Sequence, residues 1–188
     1  MKKLIFGLYA LTLVSILVSC KGEPKQVTAI EGTNVITAEG KKEAIEGAGA
    51  ADATTFYIIS QSQKVQDADD AARSAKFTNF IKGINLEKIC YTASNKTEVA
   101  TAEAVSAAKG CHNEGFTPGA LEAFTEFNLN ECKGKSLAVV THGELTPKML
   151  NLITGTKDYS VSTDDGFDHL FVVSAKAKGK ATVTEYKL

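Results

Sequence analysis

The chain has 188 residues, of which 44% are hydrophobic and 23% charged, and its formal net charge is −1. This length fits one globular domain with an additional segment. The nearly balanced charge does not indicate a nucleic-acid partner, because proteins that bind nucleic acids usually carry a clear excess of positive charge.

The first twenty residues have the pattern of an export signal. Two lysines precede an apolar run over 4–18, which is too short to cross a bilayer as a stable anchor. The run ends in LVSC, which resembles the bacterial lipobox, in which the cysteine is lipidated. We therefore expect a lipoprotein signal peptide over 1–19, a lipid on Cys20 and a location at the cell envelope. An ordinary secretory signal or an N-terminal membrane helix are the alternatives.

The next segment, over 20–53, is rich in Gly, Ala, Glu and Lys and has no aromatic residue. Such a composition buries little apolar surface, so we predict a flexible tether. A short hairpin around Gly32-Thr33-Asn34 is an alternative. The apolar residues that could pack in such a hairpin are Val27, Ile30, Val35, Ile36 and Ile45.

From residue 54 onward, strand patterns alternate with helix patterns. Buried-type apolar runs predict strands, whereas capping residues followed by apolar residues at helical spacing predict helices. The alternation predicts an α/β fold, a three-layer α/β/α sandwich whose mainly parallel sheet has an antiparallel C-terminal strand near its edge. The predicted strands span 54–60, 87–91, 137–141, 169–174 and 181–186, and the predicted helices begin at the caps Asp69, Asn95, Thr117 and Thr146.

Four stretches in this region, in collinear order, carry a family resemblance. They are FYIISQSQK, KTEVATAEAVS, LAVVTHGE and FDHLFVV. They are similar to the histidine phosphatase superfamily, which includes the phosphoglycerate mutases, at its segments of type YLVRHAEK, RTRQTAEPLA, VLVVGHSN and YDRLFVV. The resemblance covers 54–188 and implies the phosphoglycerate mutase-like fold.

In that family a histidine attacks phosphorus, while two arginines and a second histidine hold the phosphate oxygens. Matched residue by residue, the first arginine falls on Ser60, the nucleophilic histidine on Gln61 and the second arginine on Thr97, beside Lys96. The second histidine is retained as His142. Because an amide cannot serve as the nucleophile, the resemblance implies a catalytically inactive member.

The resemblance places several neutral polar groups around one cavity, and these suit an uncharged polar ligand better than a phosphate dianion. They are Ser60, Gln61, Ser62, Thr97 and His142. We expect a module that binds a small polar ligand or an envelope protein, without a cofactor or metal. The alternatives are a divergent phosphatase that re-uses His142, Lys96 or Glu144, and a purely structural envelope protein.

Two further patterns leave alternatives open. A disulfide between Cys111 and Cys132 is compatible with export, although spacing alone cannot establish it. The sequence Asp164-Asp165-Gly166 resembles part of a calcium loop, but the required downstream Glu is missing, so a solvated loop is the simpler interpretation.

Overall fold

A computed structural model describes residues 23–61, 67–160 and 169–188. The predicted signal peptide, Cys20, Ser62 and the 164–166 loop lie outside these ranges. The described strands form a nine-stranded sheet in the order β3-β2-β1-β9-β8-β4-β7-β5-β6. The strands are β1 Lys25–Glu31, β2 Asn34–Thr37, β3 Lys42–Ala44, β4 Thr54–Gln61, β5 Lys88–Thr92, β6 His112–Phe116, β7 Ser136–His142, β8 His169–Ala177 and β9 Lys180–Lys187.

Helices cover both faces of the sheet, which confirms the predicted three-layer α/β/α arrangement. One apolar core lies under α1 and α2 and contains Tyr57, Phe77 and Val105. The other lies under α3 and α4 and contains Phe56 and Met149. Because successive side chains of a strand point to opposite faces, adjacent residues of β4 enter different cores. The helices are α1 Asp67–Phe80, α2 Lys96–Lys109, α3 Leu121–Glu131 and α4 Leu145–Thr154, and a short 3-10 turn, Pro118–Ala120, precedes α3.

The centre of the sheet is parallel, as predicted. Strand β4 pairs in parallel with β7, β7 with β5, and β5 with β6. The antiparallel strand β8 pairs with β4 on one side and with β9 on the other. The C-terminal strand β9 is antiparallel to its neighbour β8, as predicted. Contrary to expectation, neither β8 nor β9 lies near an edge, because the N-terminal strands β1 to β3 extend the sheet beyond β9.

The prediction of a flexible tether over 20–53 is wrong for the described part of that segment. Strands β1 and β2 form an antiparallel hairpin around Gly32-Thr33, and β1 pairs with β9. The few apolar residues of the segment suffice to dock it, because nearly all of them fall on the buried side. Those that are buried are Val27, Ile30, Val35 and Ile45.

This N-terminal unit also contacts the chain after α1. The N–H of Gly32 donates to the carbonyl of Gly83 at 3.0 Å. A Cβ atom at Gly83 would lie 2.4 Å from the carbonyl oxygen of Ile30, so only glycine allows this approach. Gly83 therefore serves as a docking position for β1, and not simply as the end of the preceding helix.

Three local predictions differ from the structure. Helix α1 begins at Asp67, two residues before the predicted cap Asp69, and α4 begins at Leu145, before the predicted cap Thr146. The Thr146 hydroxyl instead bonds to other side chains, and Pro147 is tolerated in the first turn, where helical N–H groups have no partner. The edge strand β6 was not predicted, because its residues His112–Phe116 lack the apolar alternation of a strand.

The described part of the chain contains no helix long and apolar enough to cross a membrane. Its cysteines, Cys90, Cys111 and Cys132, are free thiols. A bridge between Cys111 and Cys132 is excluded in this fold, since Cys111 packs on the core under α1 and α2 whereas Cys132 belongs to the core on the opposite face.

Candidate functional site

The carboxyl ends of β4 and β7 bring two of the predicted site residues side by side. Gln61 and His142 are direct partners in the parallel ladder between these strands. Ile59 and Val140, two residues earlier on the same strands, belong to the core under α1 and α2. Because side chains two residues apart on a strand point to the same face, Gln61 and His142 also face α1 and α2. The carboxyl edge of a parallel sheet is where α/β folds place ligands.

Ser60 does not share this face with Gln61. The hydroxyl of Thr146 in α4 donates to the Ser60 oxygen at 3.2 Å and lies 2.7 Å from the hydroxyl of Thr141. These contacts tie Ser60 to the opposite side of the sheet. The predicted ring of polar groups is therefore divided between the two faces, because neighbouring residues of a strand alternate.

The Gln61 side chain is held inside the protein, with 3% of the residue exposed. Its Nε2 donates to the hydroxyl of Thr101 in α2 at 2.8 Å, and that hydroxyl lies 3.0 Å from the hydroxyl of Ser74 in α1. Its Oε1 accepts no hydrogen bond from any described residue. The amide is thus anchored at one end and has an unused acceptor at the other.

The residue that the sequence interpretation missed is Glu98. It is completely buried on α2. Its Oε1 is in direct contact with Nδ1 of His142, and its Oε2 accepts the backbone N–H of Thr92 at 2.8 Å. The spacing Asn95–Glu98 is that of a capping box, in which this carboxylate would return to its own helix cap. Asn95 does cap α2, through Oδ1 and the N–H groups of Thr97 and Glu98, but the carboxylate turns to His142.

The contact with Glu98 determines how His142 can act. Burial raises the pKa of the Glu98 carboxyl, and hydrogen bonds from Thr92 and His142 oppose that rise. With the carboxylate ionised, Nδ1 of His142 donates the hydrogen bond to Glu98, and Nε2 is the ring nitrogen that does not take part in this contact. The side chain of His142 is 18% exposed, so the ring is reachable from solvent. No described residue forms a hydrogen bond with Nε2.

The remaining predicted residues lie at the start of α2. Lys96, the first residue of the helix, is exposed, and Thr97 is half-buried. Ser62 lies outside the described residues. Within the described ranges, no group of three or more His, Cys, Asp or Glu residues is arranged to hold a metal ion. The site therefore consists of Gln61, Thr101, Glu98 and His142, with the start of α2 beside it.

Comparisons with known proteins support the fold and leave the activity open. No protein-family model matches the chain. No curated protein matches it in sequence.

Solved structures do match. One is the protein histidine phosphatase SixA complexed with tungstate, at a TM-score of 0.51 and 15% identity, with 72% of this chain and 96% of that chain covered. Another is a phosphoglycerate mutase from Plasmodium falciparum, at a TM-score of 0.51 and 9% identity, with 72% of this chain and 90% of that chain covered. The chain therefore has the phosphoglycerate mutase-like fold of the histidine phosphatases.

Proposed function

We propose that this protein is an exported lipoprotein whose histidine phosphatase-like domain has no phosphatase activity and binds a ligand or a partner at the cell envelope. The observation that carries the proposal is the state of Gln61, at the position that the resemblance assigns to the nucleophile. A carboxamide is not a nucleophile toward phosphorus, and this one is buried and bonded to Thr101.

The charges of the site support the same conclusion. Phosphoryl transfer requires cations or dipoles that stabilise negative charge on the phosphate oxygens. The chain has a single arginine, Arg73, so a pair of arginines cannot form. The carboxylate of Glu98 lies against His142 and would repel a dianion there. The SixA structure binds an oxyanion, whereas this site presents a buried acid.

The first test is hydrolysis of an aryl phosphate. The wild-type protein is expected to show no turnover above the background rate and no acid-labile phosphoprotein after incubation with a phosphodonor. The reason is that the family's nucleophilic histidine and its two arginines are replaced at the matched positions Gln61, Ser60 and Thr97, whereas an ordinary enzyme turns over at about 1 per second or faster. His142→Gln serves as the control variant, since Gln can still bond to Glu98 but cannot act as a base.

A divergent phosphatase is the second candidate, and the Glu98–His142 contact is the observation in its favour. A carboxylate on Nδ1 orients a histidine and leaves Nε2 available as a base or nucleophile. The same assay decides between the two functions. If the wild type turns over the aryl phosphate at ordinary enzyme rates and His142→Gln does not, the protein is a phosphatase that depends on His142, and the proposal of an inactive domain is wrong.

The second test concerns the membrane anchor. Labelling cells with a radioactive or clickable fatty acid is expected to mark the wild-type protein, while Cys20→Ala should remain unlabelled and unprocessed. Cys111→Ala is the matched control, because that thiol lies within the fold. Undiminished acyl labelling of the Cys20 variant would contradict the proposed anchor and the envelope location that depends on it.

A further inference from the structure

The docked position of β1 sets how far the folded domain can lie from the proposed lipid anchor. Cys20 precedes Glu23, the first described residue, by three positions. Because an extended chain spans at most about 3.3–3.6 Å per residue, the link from Cys20 to Glu23 covers at most about 11 Å. A flexible tether through residue 53 would instead have had a root-mean-square length of about 30 Å. The anchor and the fold are therefore joined without a spacer.

The start of β1 is held within the fold. Lys25 pairs with Tyr186, and Gln26 pairs with Lys187 at the end of β9. Val27 follows directly, is 2% exposed and packs in the core under α1 and α2. The link cannot be lengthened by releasing β1 without losing this pairing and this burial.

The link is short compared with both the membrane and the domain. The headgroup region adds about 5–8 Å to each side of the hydrocarbon core of a bilayer. A compact domain of about 160 residues is about 40 Å across. A link of at most about 11 Å therefore spans little more than the headgroup layer, and it keeps the surface beside the start of β1 at the lipid headgroups.

The surface at the start of β1 is polar. Lys25 and Lys187 are exposed, and Nζ of Lys25 lies 2.6 Å from a carboxylate oxygen of Glu43. Among the described residues, the large apolar side chain that is exposed is Phe127, which lies on α3 and not beside β1. Charged side chains are costly in hydrocarbon, so this surface suits contact with headgroups and not insertion below them.

The strand pairing also relates the candidate site to this surface. Four residues on four neighbouring strands are consecutive partners, namely Lys25, Tyr186, Leu170 and Ile59. Neighbouring strands are about 4.8 Å apart, so Ile59 lies about 14 Å from Lys25. Gln61 is two residues further along the same strand, which places it about 16 Å from Lys25.

From this geometry we infer that the lipidated protein lies directly on the membrane, with the sheet edge formed by the start of β1 and the end of β9 against the lipid headgroups. The inference rests on the lipid anchor proposed above and adds a contact surface to it. It also restricts the proposed binding function, because a ligand or partner has to reach Gln61 and His142 in the layer next to the membrane.

The test compares two mature lipidated proteins in vesicles of phosphatidylcholine and phosphatidylglycerol. One is the wild type, and the other has about thirty Gly and Ser residues inserted between Gly22 and Glu23, which gives a spacer of about 30 Å. Both are treated with a water-soluble acetylating reagent that does not cross the membrane, and mass spectrometry gives the acetylation rate of each lysine. Lys25 and Lys187 should react several-fold more slowly in the wild type than in the protein with the spacer.

Two exposed lysines far from the start of β1 serve as internal references. Lys96 follows β5, which lies five strands from β1 in the sheet, a distance of about 24 Å. Lys133 precedes β7, at the amino end of that strand. The rates of Lys25 and Lys187 are expressed relative to these two lysines, which corrects for differences in the amount of protein that the reagent can reach.

The possible results separate this inference from the proposed function. Equal relative rates of Lys25 and Lys187 in the two proteins would overturn the contact surface while the lipid anchor stands. Slower reaction of Lys96 than of Lys25 in the wild type would mean that another surface faces the membrane. Undiminished acyl labelling of Cys20→Ala would reject the anchor and this inference with it. Aryl phosphate turnover that depends on His142 would reject the inactive domain but not the contact with the membrane.

Discussion

Replacing His142 by alanine is expected to lower the free energy of unfolding by about 1.5–3 kcal/mol at pH 8, the usual contribution of a hydrogen bond to a charged group. The reason is that Glu98, which is completely buried, loses the side chain that contacts its Oε1. The backbone N–H of Thr92 would be left as its described partner.

The loss should depend on pH in a defined direction. Burial already raises the pKa of Glu98, and removing His142, one of the groups that lower it, raises this pKa further. A carboxyl group whose pKa is raised by folding stabilises the folded protein at pH values below its ordinary pKa near 4.5. This stabilisation is lost as the pH rises through the pKa that the group has in the folded protein. The variant should therefore be closest to the wild type in acid and furthest from it in alkali.

Urea unfolding at several pH values measures this effect, and two variants sharpen it. The double variant Glu98→Gln/His142→Ala should recover part of the stability, because no charge remains buried. His169→Ala is the matched control, since the His169–Glu185 pair is 2.7 Å long but its side chains are 23% and 32% exposed. Partly exposed pairs contribute about 0–1 kcal/mol. A pH-independent loss in His142→Ala would contradict the role assigned to Glu98.

The second large effect is expected from truncation. A fragment beginning at Ala51 lacks β1 to β3, and we expect its melting temperature to be on the order of 10 °C lower than that of a fragment beginning at Glu23. For a domain of this size, a loss of about 1 kcal/mol in unfolding free energy lowers the melting temperature by about 2–4 °C. The truncation removes four buried aliphatic side chains, each worth about 1.5–3 kcal/mol when fully buried. It also exposes the edge of β9 and apolar side chains beside α1, including Ile81 and Leu188.

Scanning calorimetry of the two fragments gives the comparison. Neither fragment contains the predicted signal peptide or Cys20, so the loss of these parts cannot explain a difference in melting temperature. Equal melting temperatures would mean that the N-terminal unit contributes nothing to the fold, in conflict with its pairing to β9 and its contact with Gly83.

The central elements were predictable because their patterns are strong. The apolar runs of β4 and β7 are fully buried, as continuous runs in parallel sheets usually are. Helix α2 begins directly after its predicted cap Asn95, and Gly110 ends it in a left-handed conformation. Gln61 and His142, which end these two strands, are paired in the structure.

Other elements depend on tertiary contacts that a sequence pattern does not reveal. The N-terminal strands have few apolar residues, and their burial requires β9 and Gly83, which lie far away in the sequence. One feature of the sequence could have identified Glu98 as a site residue. It lies on the same face of α2 as the buried Thr101, Ala102 and Val105, and a carboxylate on a buried face needs a partner.

The pairing of the first described strand with the last one has a consequence for when the protein can fold. Lys25 of β1 lies opposite Tyr186 of β9, so this ladder joins nearly the two ends of the described chain. Contacts of such long sequence separation form late and slow the folding of a domain. Val27 and Ile30 belong to a core that also contains Leu170, Tyr186 and Leu188, so their packing is complete only when the final strands have been made. The described sheet is therefore complete only after β9 has been made, an order of events that is compatible with the proposed export of an unfolded chain.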